Sequence, residues 1–163
     1  MSKKSPARKV RVQIDSRYEC IDLVQRLAEG LCRVSHFGRP TAQKVGLAVR
    51  EAVANAIKHG NRLQEKKRVE VTFRVEPGRL VVSVRDQGSG FDPHQLKSPL
   101  TAENIFQSHG RGIFFMKNFV DDLTFTRLPS GGMEVRMEKR SARKPSGRAS
   151  RTGTPMRQGG EVR

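Results

Sequence analysis

Apolar and polar side chains alternate along five short stretches of the chain. These are residues 9–14, 69–75, 80–84, 123–127 and 133–137. A period of two is typical of strands with one buried face. Pro77-Gly78 joins the second and third stretches, and residues 129–132 join the last two, so the pattern predicts two β-hairpins.

Three other stretches have apolar residues at helical spacing. The first helix is predicted to run to about Val34, with Asp15 or Ser16 as its N-cap and Glu19 completing a capping box with Ser16. We expect its buried face to hold the apolar residues at helical spacing: Cys20, Leu23, Val24, Leu27, Leu31 and Val34.

The second predicted helix begins near Arg39-Pro40, where Thr41 could help to cap it. It ends at Gly60 and Asn61, which accept left-handed backbone angles. The third begins at the glycines of residues 110–112 and continues to Val120. Few connections have the length of a βαβ crossover. The order therefore predicts an α+β fold, a two-layer sandwich of a mixed, mostly antiparallel sheet with helices on one face.

Composition separates this domain from two basic ends. The formal net charge is +16, of which residues 1–11 carry +5 and residues 139–163 carry +7, leaving +4 for the middle. We expect a disordered basic N-terminus at 1–8, a globular domain at 9–138 and a disordered basic tail at 139–163. The tail has no aromatic residue to stack on a base, so a solvated end is favoured over specific nucleic-acid binding.

The remaining composition favours a soluble protein of a reducing compartment. Cys20 and Cys32 lack the spacing of a metal site and are interpreted as small apolar residues in a reduced state. No apolar run has the length of a membrane span, and the N-terminus lacks the apolar core of a signal peptide. We therefore expect a cytoplasmic protein that does not contact a membrane.

The stretch EAVANAIKHGN, residues 51–61, combines a polar stripe with an apolar face. Glu51, Asn55 and His59 recur every four residues and so share one side of a helix. A buried polar stripe needs a partner, and a hydrated Mg²⁺ that holds phosphates could satisfy the amide oxygen of Asn55. Glu51 could then polarise a hydroxyl or a water. The alternative is a surface helix whose polar side has no ligand.

Two glycine-containing stretches follow. Asp86 comes directly after a strand, with Gly88 and Gly90 behind it, where a carboxylate could accept from an exocyclic amine such as that of adenine. Gly110, Arg111 and Gly112 open a helix, whose free N–H groups suit phosphates. Taken alone, the Asp86 pattern is more typical of a plain Asp-Gly turn, and the GxG pattern is weak evidence that a simple tight turn would also explain. Residues 92–109 between them are irregular and long enough to form a lid, and His94 and His109 are interpreted as loop residues.

Together the three motifs, in this order, resemble the GHKL ATPase superfamily with its Bergerat ATP-binding fold. Residues 10–138 are most similar to the small anti-sigma-factor serine kinases. The resemblance implies ATP and Mg²⁺ as cofactors, Glu51 as general base, Asn55 as the Mg²⁺ ligand and Asp86 as the adenine-binding carboxylate. The nucleotide-contacting residues that it further implies are His59, Gly88, Gly90, Gly110, Arg111, Gly112 and Ile113.

The resemblance also implies partners. A sigma factor would be bound, and a serine of a STAS-type antagonist protein would be phosphorylated. Whether the chain forms a homodimer stays open. One departure is that Met133 follows Gly131-Gly132, where the family often has a threonine near the adenine. The alternative is a non-catalytic, nucleotide-gated binding module of the same fold. A histidine kinase is disfavoured because few residues precede Val10.

Overall fold

A five-stranded sheet forms one layer of the structure, a computed structural model that describes residues 7–90 and 108–142. Its strand order is β1-β2-β3-β5-β4, and each neighbouring pair is antiparallel. The α+β prediction is confirmed, with the sheet entirely antiparallel in this part of the chain. The strands are β1 (Arg8–Asp15), β2 (Arg68–Glu76), β3 (Arg79–Arg85), β4 (Asp122–Arg127) and β5 (Met133–Arg140).

The second layer is helical and covers one face of the sheet. It contains α1 (Glu19–Val34), α2 (Arg39–Asn55) and α3 (Ser108–Phe119), and a π-helical turn, Ala56–Gly60, continues α2. Helix α2 is central, because it packs against both α1 and α3. Val49 and Val53 of α2 and Ile57 of the π-helical turn are fully buried, at the four-residue spacing of one helix face. None of the helices in residues 7–90 and 108–142 is long and apolar enough to span a bilayer.

Helix α1 buries part of the predicted face: Val24 is buried, and Cys20, Leu27 and Leu31 pack against the core. Leu23 and Val34 are 65% and 51% exposed, whereas Ala28 and Cys32 are fully buried. The small residues lie inside because α1 approaches α2 closely: a Cβ on Gly46 of α2 would lie 2.6 Å from the Glu29 side chain. Burial raises the pKa of the Cys32 thiol to about 12, so this free cysteine is an apolar core residue, as predicted.

The predicted helix caps differ from the observed ones. Ser16 does not cap α1; its Oγ donates to the carbonyl of Lys67 at 2.8 Å, and Tyr18 is the N-cap without a side-chain hydrogen bond. Gly38, not Thr41, is the N-cap of α2. Beyond Gly60 the left-handed residues are Arg62 and Leu63. The sequence pattern located these helix boundaries within a few residues but named the wrong capping residues. The hydrogen bond of Ser16 shows why: a tertiary partner can compete for a side chain that would otherwise cap a helix.

Asn61 is a buried tertiary anchor and not simply a helix stop. Its side chain is fully buried. The amide nitrogen donates to Ser16 Oγ and to the carbonyl of Arg68, both at 2.9 Å. The amide oxygen accepts from the backbone N–H of Gln87 at 2.7 Å. One side chain thus ties the end of α2 to the turn before α1, the start of β2 and the end of β3.

We predict that Asn61→Ala destabilises the protein strongly. The substitution leaves the Arg68 carbonyl and the Gln87 N–H without their partner, at a cost of about 1–3 kcal/mol for each buried group. Urea unfolding would measure the loss. Gln64→Ala, an exposed amide three residues later, is the control and should change stability little. Equal effects of the two substitutions would contradict the anchoring role of Asn61.

Glu138 on β5 is a buried carboxylate held by three arginines. It is 5% exposed. Arg79 contacts both carboxylate oxygens at 2.8 and 3.2 Å, Arg140 binds Oε1 at 2.7 Å and Arg136 binds Oε2 at 3.1 Å. The hydrogen bond from Arg79 is the main reason that the pKa of Glu138 falls to about 2. The cluster joins β3 to β5 at one end of the sheet. The glycines that follow β3 and precede β5 lie at the other end.

The lowered pKa predicts acid sensitivity. A carboxyl group with a folded pKa below its unfolded value stabilises the fold above the unfolded pKa, and this contribution is lost as the pH falls. For Glu138 the window runs from about pH 4.5 to about 2, and the full contribution is about 3 kcal/mol. Glu138→Gln should lower stability at pH 7 and flatten the loss in this window, measured by urea unfolding at several pH values. Glu76→Gln, which removes the half-buried second partner of Arg79, is the control; an identical pH profile for both variants would refute the assignment.

The last strand extends past the predicted end of the domain. Lys139 and Arg140 belong to β5. Asp121 accepts from Lys139 Nζ at 2.8 Å and from the backbone N–H of Arg140 at 2.6 Å. These two residues are therefore part of the folded domain. Residues 1–6, 91–107 and 143–163, with most of both predicted tails and most of the predicted lid, lie outside the described part of the chain.

Candidate functional site

Asp86, the first residue after β3, is a buried carboxylate at the sheet edge of a small glycine-lined recess. It is 8% exposed. Its Oδ1 accepts backbone hydrogen bonds from Gly88 at 2.8 Å and from Met133 at 3.2 Å. Its Oδ2 accepts no hydrogen bond from any residue in the ranges 7–90 and 108–142. One oxygen therefore fixes the carboxylate, and the other has no hydrogen-bonding partner in the described part of the chain.

Three glycines approach Asp86 so closely that a side chain would not fit. A Cβ on Gly60 would lie 2.4 Å from the carboxylate carbon of Asp86, and a Cβ on Gly132 would lie 2.1 Å from its backbone oxygen. A Cβ on Gly88 would lie 2.2 Å from the carbonyl oxygen of Gly60. Gly132 also has a positive φ of 84°. The recess thus depends on glycines from three separate segments, of which the sequence motif contains only Gly88.

Burial also affects the charge of Asp86. Desolvation raises the pKa of the carboxyl group, and the hydrogen bonds from Gly88 and Met133 partly oppose the rise. The ionised form is therefore held in a site that does not fully compensate it. A buried, incompletely paired carboxylate is a common property of a ligand-binding position.

Met133 occupies the position where the family often has a threonine. Its side chain is buried, and its backbone N–H makes the hydrogen bond to Asp86 Oδ1. The backbone of Asp86 in turn donates to the Met133 carbonyl at 3.1 Å. The departure from the motif removes a hydroxyl group but leaves the backbone contacts that position the carboxylate.

Glu51 and Asn55 lie together against the start of α3. A Cβ on Gly112 would lie 2.7 Å from Glu51 Oε2 and 3.7 Å from the amide nitrogen of Asn55. Both side chains are half-buried. The structure thus brings two separate motifs into contact, the polar stripe of α2 and the second glycine stretch. A side chain on residue 112 would displace the Glu51 carboxylate from this position.

His59 lies beyond this pair, in the π-helical turn after Asn55, and is exposed. Such turns are frequent at functional sites. The alignment of His59 with Glu51 and Asn55 stays a prediction.

The remaining predicted residues have a limited structural description. Gly110, Arg111, Gly112 and Ile113 are in the first turns of α3, which begins at Ser108, two residues earlier than predicted. Gly90 has a positive φ of 75° and lies against Arg127, whose Nη2 donates to the Ser89 carbonyl at 3.3 Å. Residues 92–107 of the predicted lid, including His94, lie outside the described residues.

Arg127 and Asn61 were missed by the sequence analysis. Arg127 ends β4 and reaches across to the first glycine loop, and Asn61 holds Gln87 beside Asp86. Asn61 was considered only as a helix stop at the end of the stretch 51–61, and no periodicity or short motif singles out Arg127. Their roles depend on contacts between segments 26 and 38 residues apart in the chain.

Comparisons with known proteins agree with this geometry. The family model described as a histidine kinase-like ATPase domain matches residues 14–139. The chain is 32% identical to an anti-sigma F factor of Bacillus velezensis over 98 residues, which are 59% of this chain and 67% of that protein. It is 31% identical to the anti-sigma F factor of Bacillus subtilis, over 98 residues that again are 59% of this chain and 67% of that protein. Over 121 residues it is 23% identical to the serine-protein kinase RsbW of Listeria innocua, covering 71% of this chain and 77% of that one.

The chain therefore belongs to the histidine kinase-like ATPase domain family. The match spans every strand and helix of the described fold except most of β1. The resemblance to GHKL ATPases inferred from the three motifs is confirmed at the level of the family. The relatives carry the names anti-sigma F factor and serine-protein kinase RsbW.

Because the Asp86 carboxylate is incompletely paired, we expect its substitution to affect ligand affinity and thermal stability differently. Asp86→Asn keeps an oxygen that accepts from Gly88 and Met133 but removes the buried charge. A raised carboxyl pKa stabilises the fold only below its ordinary value of 3.8 and costs stability once the pH passes the folded pKa. The variant should therefore melt at the same or a higher temperature than the wild type at pH 7.

The same substitution should weaken ATP binding about tenfold or more, because Oδ2 is replaced by a donor that repels the adenine amine. Calorimetric titration with Mg-ATP and thermal melting at pH 7 would measure both effects. Asp22→Asn, an exposed carboxylate on α1, is the matched control and should change neither. Lower stability together with unchanged ATP affinity would show that Asp86 is only structural.

Proposed function

We propose that the chain is an ATP-dependent anti-sigma factor with serine kinase activity. It would bind a sigma factor in the cytoplasm and phosphorylate a serine of an antagonist protein. The observation that carries the proposal is the contact of Glu51 and Asn55 with Gly112, because it joins a carboxylate and an amide to a glycine-rich helix start. The names of the relatives support the same class of activity.

The recess at Asp86 suits the base of the nucleotide. Asp86 Oδ2 would accept from the exocyclic amine of adenine, and Gly60, Gly88 and Gly132 would keep the carboxylate in place by packing closely around it. The phosphates would lie toward the N-terminus of α3, whose first turns hold Gly110, Arg111, Gly112 and Ile113 and whose unpaired N–H groups suit phosphates. Arg111 would add a charge-assisted hydrogen bond.

The residues present also fit Mg²⁺. This ion takes one or two protein oxygens and fills its other positions with phosphate and water. The half-buried side chain of Asn55 lies beside the helix start that would hold the phosphates, and its amide oxygen would be the one protein ligand. Within residues 7–90 and 108–142 there is no cluster of three His, Cys, Asp or Glu residues that would bind a metal on its own. Bound with the nucleotide, the ion would offset the negative charge of the phosphates.

Glu51 would act as the general base. Its carboxylate would accept the proton of the antagonist's serine hydroxyl as the hydroxyl oxygen attacks the γ-phosphorus. The bond between the γ-phosphorus and the bridging oxygen would break, leaving ADP and a phosphoserine. Glu51 is half-buried and lies one helical turn before Asn55, so the base and the metal ligand face the same phosphates.

Glu51→Gln tests this role. The substitution keeps the size and polarity of the side chain but cannot accept the proton. Phosphate transfer to the antagonist should slow by about 10²–10⁴-fold, the usual contribution of a positioned base. ATP affinity and sigma-factor binding should change little, because Glu51 does not ligate the nucleotide in this scheme. The measurement is transfer of radiolabelled phosphate, with a pull-down of the sigma factor from the same preparation.

Glu65→Gln is the control for charge. Glu65 is an exposed carboxylate whose only ion pair in the described chain is with Arg17. If Glu51→Gln and Glu65→Gln transfer phosphate at the wild-type rate, Glu51 is not the base. If the wild type binds ATP and the sigma factor but transfers no phosphate, the chain is a nucleotide-gated binding module and not a kinase.

A further inference from the structure

The face of the sheet opposite the helices carries a depression that the proposed function does not use. Its volume is 260 Å³. Residues on four adjacent strands, β1, β2, β3 and β5, line it. They are Lys9, Arg11, Glu70, Thr72, Arg74, Arg79, Val81, Ser83, Arg85, Glu134 and Arg136. We refer to it as the outer trough.

Short side chains form the floor of the outer trough and arginines form its ends. Arg11, Thr72, Ser83 and Arg136 are consecutive partners in one cross-strand row. The row spans three strand spacings, or about 14 Å. Two hydroxyl groups therefore lie between two guanidinium groups. Val81, beside them in the next row, is 5% exposed and completes the floor.

The outer trough has an excess of positive charge. Six of its lining residues are cationic and two are acidic. Arg85 is paired with Glu134 at 2.8 Å, and Arg11 and Arg85 approach Glu70 at 3.7 and 3.8 Å. Lys9 and Arg74, which are neighbours across β1 and β2, have no ion pair or hydrogen-bonding side-chain partner among residues 7–90 and 108–142. Like charges placed directly opposite each other on a sheet are destabilising unless an anion lies between them.

From this arrangement we propose that the outer trough binds a compact, multiply charged phosphate anion, such as a di- or triphosphate group. Arginine forks and hydroxyl groups are the donors that phosphate oxygens prefer. Arg79 and Arg136 are already paired with Glu138, so the cations of the lining without an ion pair among the described residues are Lys9 and Arg74. A small phosphate anion supplies several charges within the length of the trough.

Acidic residues around the outer trough favour a compact ligand over a long one. Glu76, Asp122 and Glu138 lie on the same face at one side of it, in the cross-strand rows of Arg79 and Arg74. Glu70 and Glu134 lie at the other side. A nucleic-acid strand or an anionic membrane would have to cross these carboxylates. A second copy of the chain would place arginines against arginines.

The outer trough is a different site from the recess at Asp86. Strand β3 alternates between the two faces, so Ser83 and Arg85 point outward while Val82 and Val84 are buried under the helices. Glu51 and Asn55 belong to the helical layer. The sheet therefore separates the outer trough from the proposed phosphate position of the nucleotide, and substitutions in one site can be made without touching the other.

The test is titration of the full chain with inorganic tripolyphosphate and pyrophosphate at about 0.15 M salt. Lys9→Gln with Arg74→Gln removes two cations that have no described partner, so no carboxylate is left unpaired. This double variant should bind tripolyphosphate at least about tenfold more weakly. Thr72→Val, which keeps the shape of the floor, should also weaken binding. Amide NMR signals of Thr72 and Ser83 should shift on titration of the wild type.

Lys44→Gln with Arg26→Gln is the matched control. It removes the same charge from exposed positions on the helical side and leaves both basic tails unchanged. Loss of affinity only in the Lys9 and Arg74 variant would support the proposal. Equal affinity in the two double variants would overturn it, because the tails or the nucleotide site would then hold the anion. The proposal would also be overturned, in favour of nucleic acid, if a single-stranded oligonucleotide bound more tightly than tripolyphosphate and lost affinity in the Lys9 and Arg74 variant.

Discussion

The structure depends on the close approach of three backbone segments around Asp86. Gly60 at the end of the π-helical turn, Gly88 after β3 and Gly132 before β5 each lie where a Cβ would be within 2.4 Å of another heavy atom. No other residue type fits at these positions without a shift of the backbone. The contact fixes how α2 meets the edge of the sheet. It therefore determines where Asn55 and Glu51, one and two turns earlier on α2, face α3.

This arrangement has a cost in stability that other groups offset. The buried carboxylate of Asp86 is held by two backbone hydrogen bonds but is not neutralised by a cation in hydrogen-bonding distance within the described chain. Asn61 and Glu138 stabilise the fold, because each forms hydrogen bonds with several groups at once. A ligand-binding position that is less stable than its surroundings is a recurring feature of functional sites.

Much of the fold follows from periodicity, and the rest does not because it depends on distant contacts. The period of two located all five strands, and the spacing of Val49, Val53 and Ile57 identified the buried face of α2. The same reasoning also placed Leu23 and Val34 on the buried face of α1, where they are exposed, whereas Val24 is buried as expected. It predicted Glu51, Asn55 and Asp86 as candidates from local motifs. It missed Asn61 and Arg127, whose partners lie on other segments.

Strand β3 shows how one stretch of chain can contribute to two chemically different faces. Alternate residues of a strand point to opposite sides, so Val82 and Val84 complete the core while Ser83 and Arg85 line the outer trough. The strand then ends in Asp86. A ligand in the outer trough could influence the nucleotide site only if it bound two arrangements of this strand with different affinity. The strand is paired on both sides over most of its length, to β2 and β5, which favours a single arrangement. We therefore expect ligands to bind the two faces of the sheet independently of each other.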